Sequence, residues 1–172
     1  MKKYAISILL FIFCFSLSAA SADAEKYFLA GAAKSKAGQY AEAIPYYDRA
    51  ISLDPAHAAA YNNRGNAKDD IGDHVGAIRD YNMVLSLAPG NAMAYYNRGD
   101  AKRGMHDFKG AVTDYTKAIA VSADYPFQFL GRGLAYKSLG KYDEAMADLE
   151  KVKELGDNTA DAYIAEIKAK IR

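Results

Sequence analysis

Glycine recurs every 34 residues along this chain, at Gly31, Gly65, Gly99 and Gly133. Four further columns keep the same step: Ala43, Ala77, Ala111 and Ala145; Tyr27, Tyr61, Tyr95 and Phe129; Tyr47, Tyr81, Tyr115 and Leu149; and Ala50, Val84, Ala118 and Val152. A period of this size indicates tandem supersecondary units that bury their apolar faces against one another. One such hairpin buries too little surface to fold alone, so stacking of neighbouring repeats is obligatory.

Within each copy, the apolar residues follow the helical period in two blocks, at 24–37 and 41–53 in the first copy. Glycine and alanine at the packing columns allow the two helices to approach closely. Glycine, which adopts left-handed backbone angles at little cost, ends the first helix of three copies at Gly38, Gly72 and Gly140. His106 takes that place in the third copy. Pro55 and Pro89 follow second helices, and Pro126 is predicted to open the seventh helix.

This pattern resembles the tetratricopeptide repeat family over residues 24–157. The matching features are the aromatic residue near each start, the glycine four residues later, the alanine of the second helix and the prolines of ISLDP and LSLAP. The resemblance implies an all-α solenoid of four helix-turn-helix repeats, about 24–57, 58–91, 92–125 and 126–159, with a capping helix at 160–171. Ala123 and Asp157 replace the closing proline in the last two copies, which leaves those junctions less well defined.

Arginine precedes the repeated glycine in three copies, at Arg64, Arg98 and Arg132. Sixteen residues after these positions lie Asp80, Asp114 and Asp148. In the first copy Ala30 and Tyr46 occupy the two places, so both charges are present or both are absent. We therefore predict that each arginine pairs with the aspartate of its own repeat or of an adjacent one. The alternative is that these are solvated surface charges.

The resemblance also implies a binding surface, because the concave face of such superhelices typically holds an extended peptide or a partner helix. Helical spacing places first-helix residues on it: Glu25, Phe28, Ala32 and Lys36; Ala59, Asn62, Asn66 and Asp70; Met93, Tyr96, Asp100 and Arg103; Phe127, Leu130, Leu134 and Lys137. We predict partner contacts for ten of them: Phe28, Asn62, Asn66, Asp70, Tyr96, Asp100, Arg103, Phe127, Leu130 and Lys137. Asparagine amides suit a peptide backbone, and Tyr96 and Phe127 suit apolar anchoring. The alternative is a solvated face with scattered aromatic residues.

One subtype of the family binds a C-terminal carboxylate through lysines and arginines on this face. The corresponding positions here carry Phe28, Ala59, Asn63, Met93 and Asn97, of which only the asparagines fit. The sequence therefore argues against that subtype.

Catalysis and metal binding find little support in the sequence. His57, His74 and His106 all fall in predicted turns, and a spacing of one repeat separates the last two too widely for shared zinc ligation. Asp69, Asp70 and Asp100 fit a hydrated acidic face better than a cation site. We expect neither a cofactor nor enzymatic activity.

The N-terminus, MKKYAISILLFIFCFSLSAASADA, has two lysines, an apolar run and a small-residue cleavage pattern, which together predict a secretory signal peptide at 1–22. Cleavage is predicted after Ala22 or Ala24. The apolar run is too short to favour a permanent membrane anchor, and Cys14, behind the bulky Phe13, is a poor site for lipid modification. Because Cys14 is the only cysteine, the exported chain, with its predicted repeat domain at 24–172, would contain no disulfide bond.

Lysine and arginine number 22 and aspartate and glutamate 21, so the balanced charge gives no electrostatic basis for binding nucleic acid or anionic membrane. The sequence predicts an exported, noncatalytic adaptor, periplasmic or secreted from a bacterium, that binds a peptide or protein in its groove. The alternative function is a self-assembling structural protein of the cell envelope. Self-assembly would make the chain a homo-oligomer, whereas the adaptor is expected to be a monomer in light scattering.

Overall fold

A computed structural model describes residues 21–171, which divide into two compact units on either side of the Gly72–Asp73 bond. We describe each unit by itself. These residues contain helices and turns but no β-strand. The predicted signal peptide lies outside the described residues except for its last two positions.

The first unit contains three helices: α1 at residues 21–36, α2 at Tyr40–Leu53 and α3 at Ala58–Asp70. Its core is built from Ala43, Tyr47 and Ala67, which are buried where α2 packs between its two neighbours. Helix α2 contains an exposed proline, Pro45. The helical period in the sequence therefore outweighs the loss of one backbone hydrogen bond at this position.

The second unit contains six α-helices and a short 3₁₀ turn. In chain order they are α4 at His74–Leu87, α5 at Ala92–Gly104, α6 at Phe108–Val121, α7 at Pro126–Ser138, α8 at Tyr142–Glu154, the turn at Asn158–Ala160 and α9 at Asp161–Lys170. Each α-helix packs against the next one along the chain. Helix α9 buries Ile164 and Ile167 in the core formed with Leu149 and Val152, as expected of a capping helix.

Two glycines of the repeated column, Gly31 and Gly99, lie against the buried tyrosine on the second helix of the same repeat. A Cβ atom at Gly31 would lie 2.8 Å from Cε1 of Tyr47, and one at Gly99 would lie 2.9 Å from Cε1 of Tyr115. Both distances are well below the contact distance of carbon atoms, about 3.5 Å. Gly131 approaches the Tyr115 ring as closely, so two glycines contact this one buried ring. The predicted close approach is thus confirmed for Gly31 and Gly99.

Helix ends follow the predicted turn residues. Gly38, Gly72 and Gly140 have φ values of 74°, 85° and 74°, in the left-handed region. His106, with φ 62°, adopts the same conformation in their place, and Pro126 opens α7. These predictions are confirmed.

The N-caps of α4 and α6 were not predicted from the sequence. The carboxylates of Asp73 and Asp107 accept hydrogen bonds from the backbone N–H groups of Gly76 and Gly110, each at 2.9 Å. A Cβ atom at Gly76 would lie 2.0 Å from Oδ2 of Asp73. In both caps the carboxylate lies over the glycine three residues later, whereas Asn91 caps α5 in the same way with Ala94 at that position.

Two of the predicted arginine–aspartate pairs lie wholly in the second unit, and both are formed. Arg98 donates from Nε and Nη2 to Asp114 at 2.9 and 2.6 Å. Arg132 binds Asp148 in the same bidentate way at 2.8 and 2.7 Å. The prediction of pairing within one repeat is confirmed for these two. The pair Arg64 with Asp80 joins residues of different units and stays a prediction.

The arginines also reach back to the second helix of the preceding repeat, sixteen residues earlier, which the sequence analysis missed. The Nη1 atoms of Arg64 and Arg98 donate to Asp48 and Asn82, both at 2.5 Å. Arg132 Nη1 donates to the Thr116 hydroxyl at 3.2 Å. One guanidinium thus links three helices in the second unit, because its planar fork presents donors on several sides.

Asp114 is the most buried member of this network, with a side chain 1% exposed. Lys102 also contacts it, with Nζ 2.7 Å from Oδ2. Burial alone would raise the pKa of Asp114, but hydrogen bonds from Arg98 and Lys102 and their charges lower that pKa overall. The ionised carboxylate therefore stabilises the fold above its unfolded pKa of about 3.9, and this contribution is lost as pH falls through the lower folded value.

Replacing Asp114 with alanine is expected to lower the free energy of unfolding by about 3–5 kcal/mol, because two cations lose their buried partner. The double variant Arg98→Ala with Asp114→Ala should lose clearly less than the sum of the two single losses. Urea denaturation of the four proteins of this cycle measures the coupling. The exposed pair Lys151 and Glu154 serves as the control, with an expected coupling of about 0–1 kcal/mol. Additive losses at Arg98 and Asp114 would contradict the pairing.

The backbone angle of His106 predicts that His106→Gly is more stable than His106→Ala. Both variants lose the contact between the His106 and Phe108 rings, so the comparison isolates the backbone. A left-handed conformation costs a residue with a Cβ atom about 1–2 kcal/mol. Thermal melting should rank glycine above alanine, and an equal or higher melting temperature for alanine would contradict the strain.

Candidate functional site

Three aromatic side chains form a continuous cluster between the start of α5 and the start of α7. The Tyr96 ring meets Phe127 edge-on at 4.7 Å between centroids, and Phe127 stacks on Tyr125 at 5.3 Å. Tyr125 is 47% exposed, while Tyr96 and Phe127 are half-buried. We call Tyr96, Tyr125 and Phe127 the aromatic cluster. It brings together the two anchors predicted from the sequence and adds Tyr125, which that analysis missed.

A hydrogen-bonded group lies next to the aromatic cluster, where Tyr96 packs on Tyr115. We call this group, Asp100, Arg103 and Tyr115, the polar cluster. Asp100 Oδ1 accepts from the Tyr115 hydroxyl at 2.7 Å and from Arg103 Nη2 at 3.0 Å. Arg103 Nε also donates to the Tyr115 oxygen at 3.3 Å. The predicted site residues Asp100 and Arg103 thus pair with each other within the chain.

Both tyrosines beside Asp100 stay neutral far above physiological pH. Burial first, and then the charge of Asp100 and a hydrogen bond to it, raise the pKa of Tyr115 and that of Tyr96. The polar cluster therefore carries one carboxylate and one guanidinium. It adds no net charge to this face.

The C-terminal part of the predicted surface contacts the chain's own last helix. Lys137 donates a hydrogen bond to Glu166 of α9, and its Nζ lies 5.2 Å from the centre of the Tyr163 ring. Leu130 is partly buried against the core that α8 and α9 share. Of the predicted residues in this unit, Tyr96 and Phe127 therefore offer the clearest surface for a partner.

The first unit contains a pocket of about 240 Å³ between α1, α2 and α3, which we call the first-unit pocket. It is lined by Ala32, Ser35, Tyr40, Tyr47, Asn63, Asn66, Ala67 and Asp70. The hydroxyls of Ser35 and Tyr47 are hydrogen-bonded to each other at 3.0 Å. Asn66 and Asp70 were predicted site residues, whereas Ser35, Tyr40, Tyr47 and Asn63 were not.

The other two predicted residues of this unit lie outside the pocket lining. Phe28 packs against the rings of His57 and Tyr47, with centroids 4.9 and 6.1 Å apart, and so belongs with the core. Asn62 donates from Nδ2 to Oδ1 of Asn63 at 3.4 Å. Of the four residues predicted in this unit, Asn66 and Asp70 therefore line one pocket, whereas Phe28 and Asn62 do not.

Each histidine has a structural contact of its own. His57 Nδ1 caps α3 by accepting from the backbone N–H of Ala60 at 3.3 Å. The His74 ring packs where a Cβ atom of Gly104 would lie, 2.8 Å away, and His106 makes the left-handed turn. Within residues 21–171, His, Cys, Asp and Glu side chains form no group of three suited to a metal ion. Over the same residues no helix combines the length and apolar character needed to cross a membrane.

Comparison with family models identifies the repeats. Two models described as tetratricopeptide repeat match the chain, one at residues 28–92 and the other at 92–125 and 129–156. The chain belongs to the tetratricopeptide repeat family. The predicted fold class, an all-α solenoid of two-helix repeats, is thereby confirmed. No curated protein sequence matches the chain significantly.

Solved structures of other repeat proteins share this fold. The crystal structure of MamA is 27% identical, with a TM-score of 0.75 and alignment over 78% of each chain. MamA from Desulfovibrio magneticus RS-1, from residue 41 to its end, is 25% identical with a TM-score of 0.74, over 78% of this chain and 76% of that one. The first repeat domain of Spaghetti (RPAP3), bound to the HSP90 peptide SRMEEVD, is 23% identical with a TM-score of 0.67, over 70% and 98%.

Proposed function

We propose that this protein is an exported, noncatalytic adaptor whose first-helix face binds an extended peptide segment of a partner protein. The aromatic cluster is the observation that carries the proposal. It places three neighbouring rings on one face, with Tyr125 substantially exposed. Large aromatic side chains are the residues that most often dominate binding energy at protein interfaces.

The rings are also held in place before any partner arrives. Tyr96 packs on Tyr115, which is fully buried, with 5.7 Å between the ring centres. Phe127 lies next to Pro126 at the rigid start of α7. A fixed surface loses little side-chain entropy on binding, and this favours affinity.

Asparagine side chains on α3 offer a separate polar surface within the first unit. Asn63 and Asn66 line the first-unit pocket, and an amide presents both a donor and an acceptor. Such groups suit a peptide backbone and ask for no particular side chain. The related fold of Spaghetti (RPAP3), which binds an HSP90 peptide, supports peptide binding as a use of this architecture.

Export is the second part of the proposal, and it rests on the sequence of the N-terminus. The two lysines, the apolar run from Tyr4 to Leu17 and the small residues that follow have the order of a secretory signal peptide. A mature chain without cysteine suits a compartment in which thiols would be oxidised. The proposed location is the periplasm or the outside of a bacterial cell.

Capture of the partner tests the binding face. Immobilised protein is incubated with an envelope extract, and the captured protein is then purified and its affinity for each variant measured. Tyr96→Ala and Phe127→Ala are each expected to weaken binding about tenfold, because they remove an aromatic anchor. Asn66→Ala is expected to weaken it less.

The matched control is Met83→Ala, which removes an exposed apolar side chain from α4, the second helix of its repeat. Its affinity should equal that of the unaltered protein. Tyr96 also contacts Tyr115, so thermal melting of each variant separates lost binding from lost folding. Unchanged binding in both folded aromatic variants would show that the partner does not use this face.

Export is tested by the mass of the protein recovered from its host. Cleavage after Ala22 or Ala24 removes the N-terminal segment, and intact-mass spectrometry distinguishes the two products. Replacing Leu9 and Phe11 with aspartate should block processing and retain the full-length chain, because a charged apolar run no longer inserts. Recovery of unaltered protein that begins at Met1 in the soluble cell interior would contradict export.

A further inference from the structure

Equivalent positions in two repeats of this chain surround a buried tyrosine with different side chains. In the second unit, the hydroxyl of Tyr115 is bonded to Asp100 and Arg103. The positions two repeats earlier, 68 residues back in the sequence, are Tyr47, Ala32 and Ser35. The tyrosine is therefore kept in the first unit, while the carboxylate and the guanidinium beside it are replaced by a methyl and a hydroxymethyl group.

The shorter side chains leave the space that forms the first-unit pocket. Ala32 and Ser35 both line it, and so does Tyr47, whose hydroxyl bonds to Ser35. A second tyrosine, Tyr40, supplies another aromatic wall. In the second unit, the equivalent space holds the guanidinium of Arg103, which contacts a tyrosine hydroxyl and a carboxylate.

The carboxylate needed for such a contact is present on the opposite wall. Asp70 lines the pocket, and among residues 21–171 no lysine or arginine forms an ion pair with it. Burial, and secondly the charge of Asp69, raise the pKa of Asp70. Asp70 is exposed to solvent while it lines the pocket, so a positive charge that enters the pocket can approach its carboxylate and favour the ionised form.

We propose that the first-unit pocket binds an arginine or lysine side chain of the partner, held by Asp70, the Tyr47 hydroxyl and the Asn66 amide. This inference rests on the proposed function, because it assigns one side chain of the bound peptide. The tyrosine rings favour a cation that lies against them. An amide oxygen has two acceptor positions, so Asn63, which accepts one hydrogen bond from Asn62, can accept a second from the cation. Arginine suits the site better than lysine, since its planar donors match a carboxylate and a hydroxyl together.

The test uses two blocked pentapeptides, one with a central arginine between alanines and one with citrulline in its place. Citrulline keeps the shape of arginine and removes its charge. Each peptide is titrated into purified, ¹⁵N-labelled protein while the side-chain amide signals of Asn63 and Asn66 are followed. The arginine peptide is expected to shift these signals and to bind up to about fivefold more tightly than the citrulline peptide, the effect of one partly exposed ion pair.

Two variants make the test specific to this pocket. Asp70→Asn should reduce binding of the arginine peptide to the level of the citrulline peptide, whereas Asp124→Asn, the same charge change at an exposed residue of the second unit, should leave it unchanged. The double variant Ala32→Asp with Ser35→Arg transfers the polar cluster into the first unit. It should abolish binding while the melting temperature stays at or above that of the unaltered protein.

The proposal is overturned if the two peptides bind equally, if Asp70→Asn binds as well as the unaltered protein, or if the shifted signals lie away from the pocket. None of these outcomes decides the proposed function, which depends on the aromatic cluster. Loss of partner capture in Phe127→Ala together with equal binding of the two peptides would keep the adaptor and reject the cation site. Unchanged capture in that variant with charge-selective peptide binding would keep the cation site and reject the aromatic face.

Discussion

Contact between a glycine of one helix and an aromatic ring on the next limits the distance between the helices in two hairpins of this protein. Gly31 against Tyr47 and Gly99 against Tyr115 leave no room for a Cβ atom. A methyl group at either glycine would force the helices of the hairpin apart or displace a buried ring. The positions of Ala32 and Ser35 in the first-unit pocket and of Tyr96 in the aromatic cluster depend on this spacing. The repeated glycine is therefore a requirement of packing and also fixes the surface available to a partner.

Most of the fold could be predicted from the sequence because its determinants recur at a constant interval. Helix ends, the left-handed His106, the glycine columns and the pairing of Arg98 with Asp114 all leave a repeated mark in the sequence. The contacts from Arg98 to Asn82 and from Arg132 to Thr116 could not be recognised in the same way. Their acceptors differ chemically from one repeat to the next, so no column of identical residues reveals them.

The candidate site was less predictable, because helical spacing identifies a face but not the contacts made within it. Tyr96 and Phe127 were placed together correctly, whereas the pairing of Lys137 with Glu166 depends on where the last helix docks. The first-unit pocket results from small residues, Ala32 and Ser35, which carry no chemical signal of their own. A comparison of each position with its equivalents in the other repeats would have indicated the pocket, since the polar cluster occupies the same places two repeats later.

The column that contains the three arginines begins with Ala30 and continues, one repeat past Arg132, with Glu166. Each arginine requires an acceptor on the preceding second helix, as Arg64 finds in Asp48 and Arg98 in Asn82. A duplicated internal repeat would bring its own guanidinium and find an acceptor ready for it. The first copy has no preceding second helix among residues 21–171, and it carries Ala30 where the later copies have arginine. The guanidinium therefore occurs only in copies that follow another repeat.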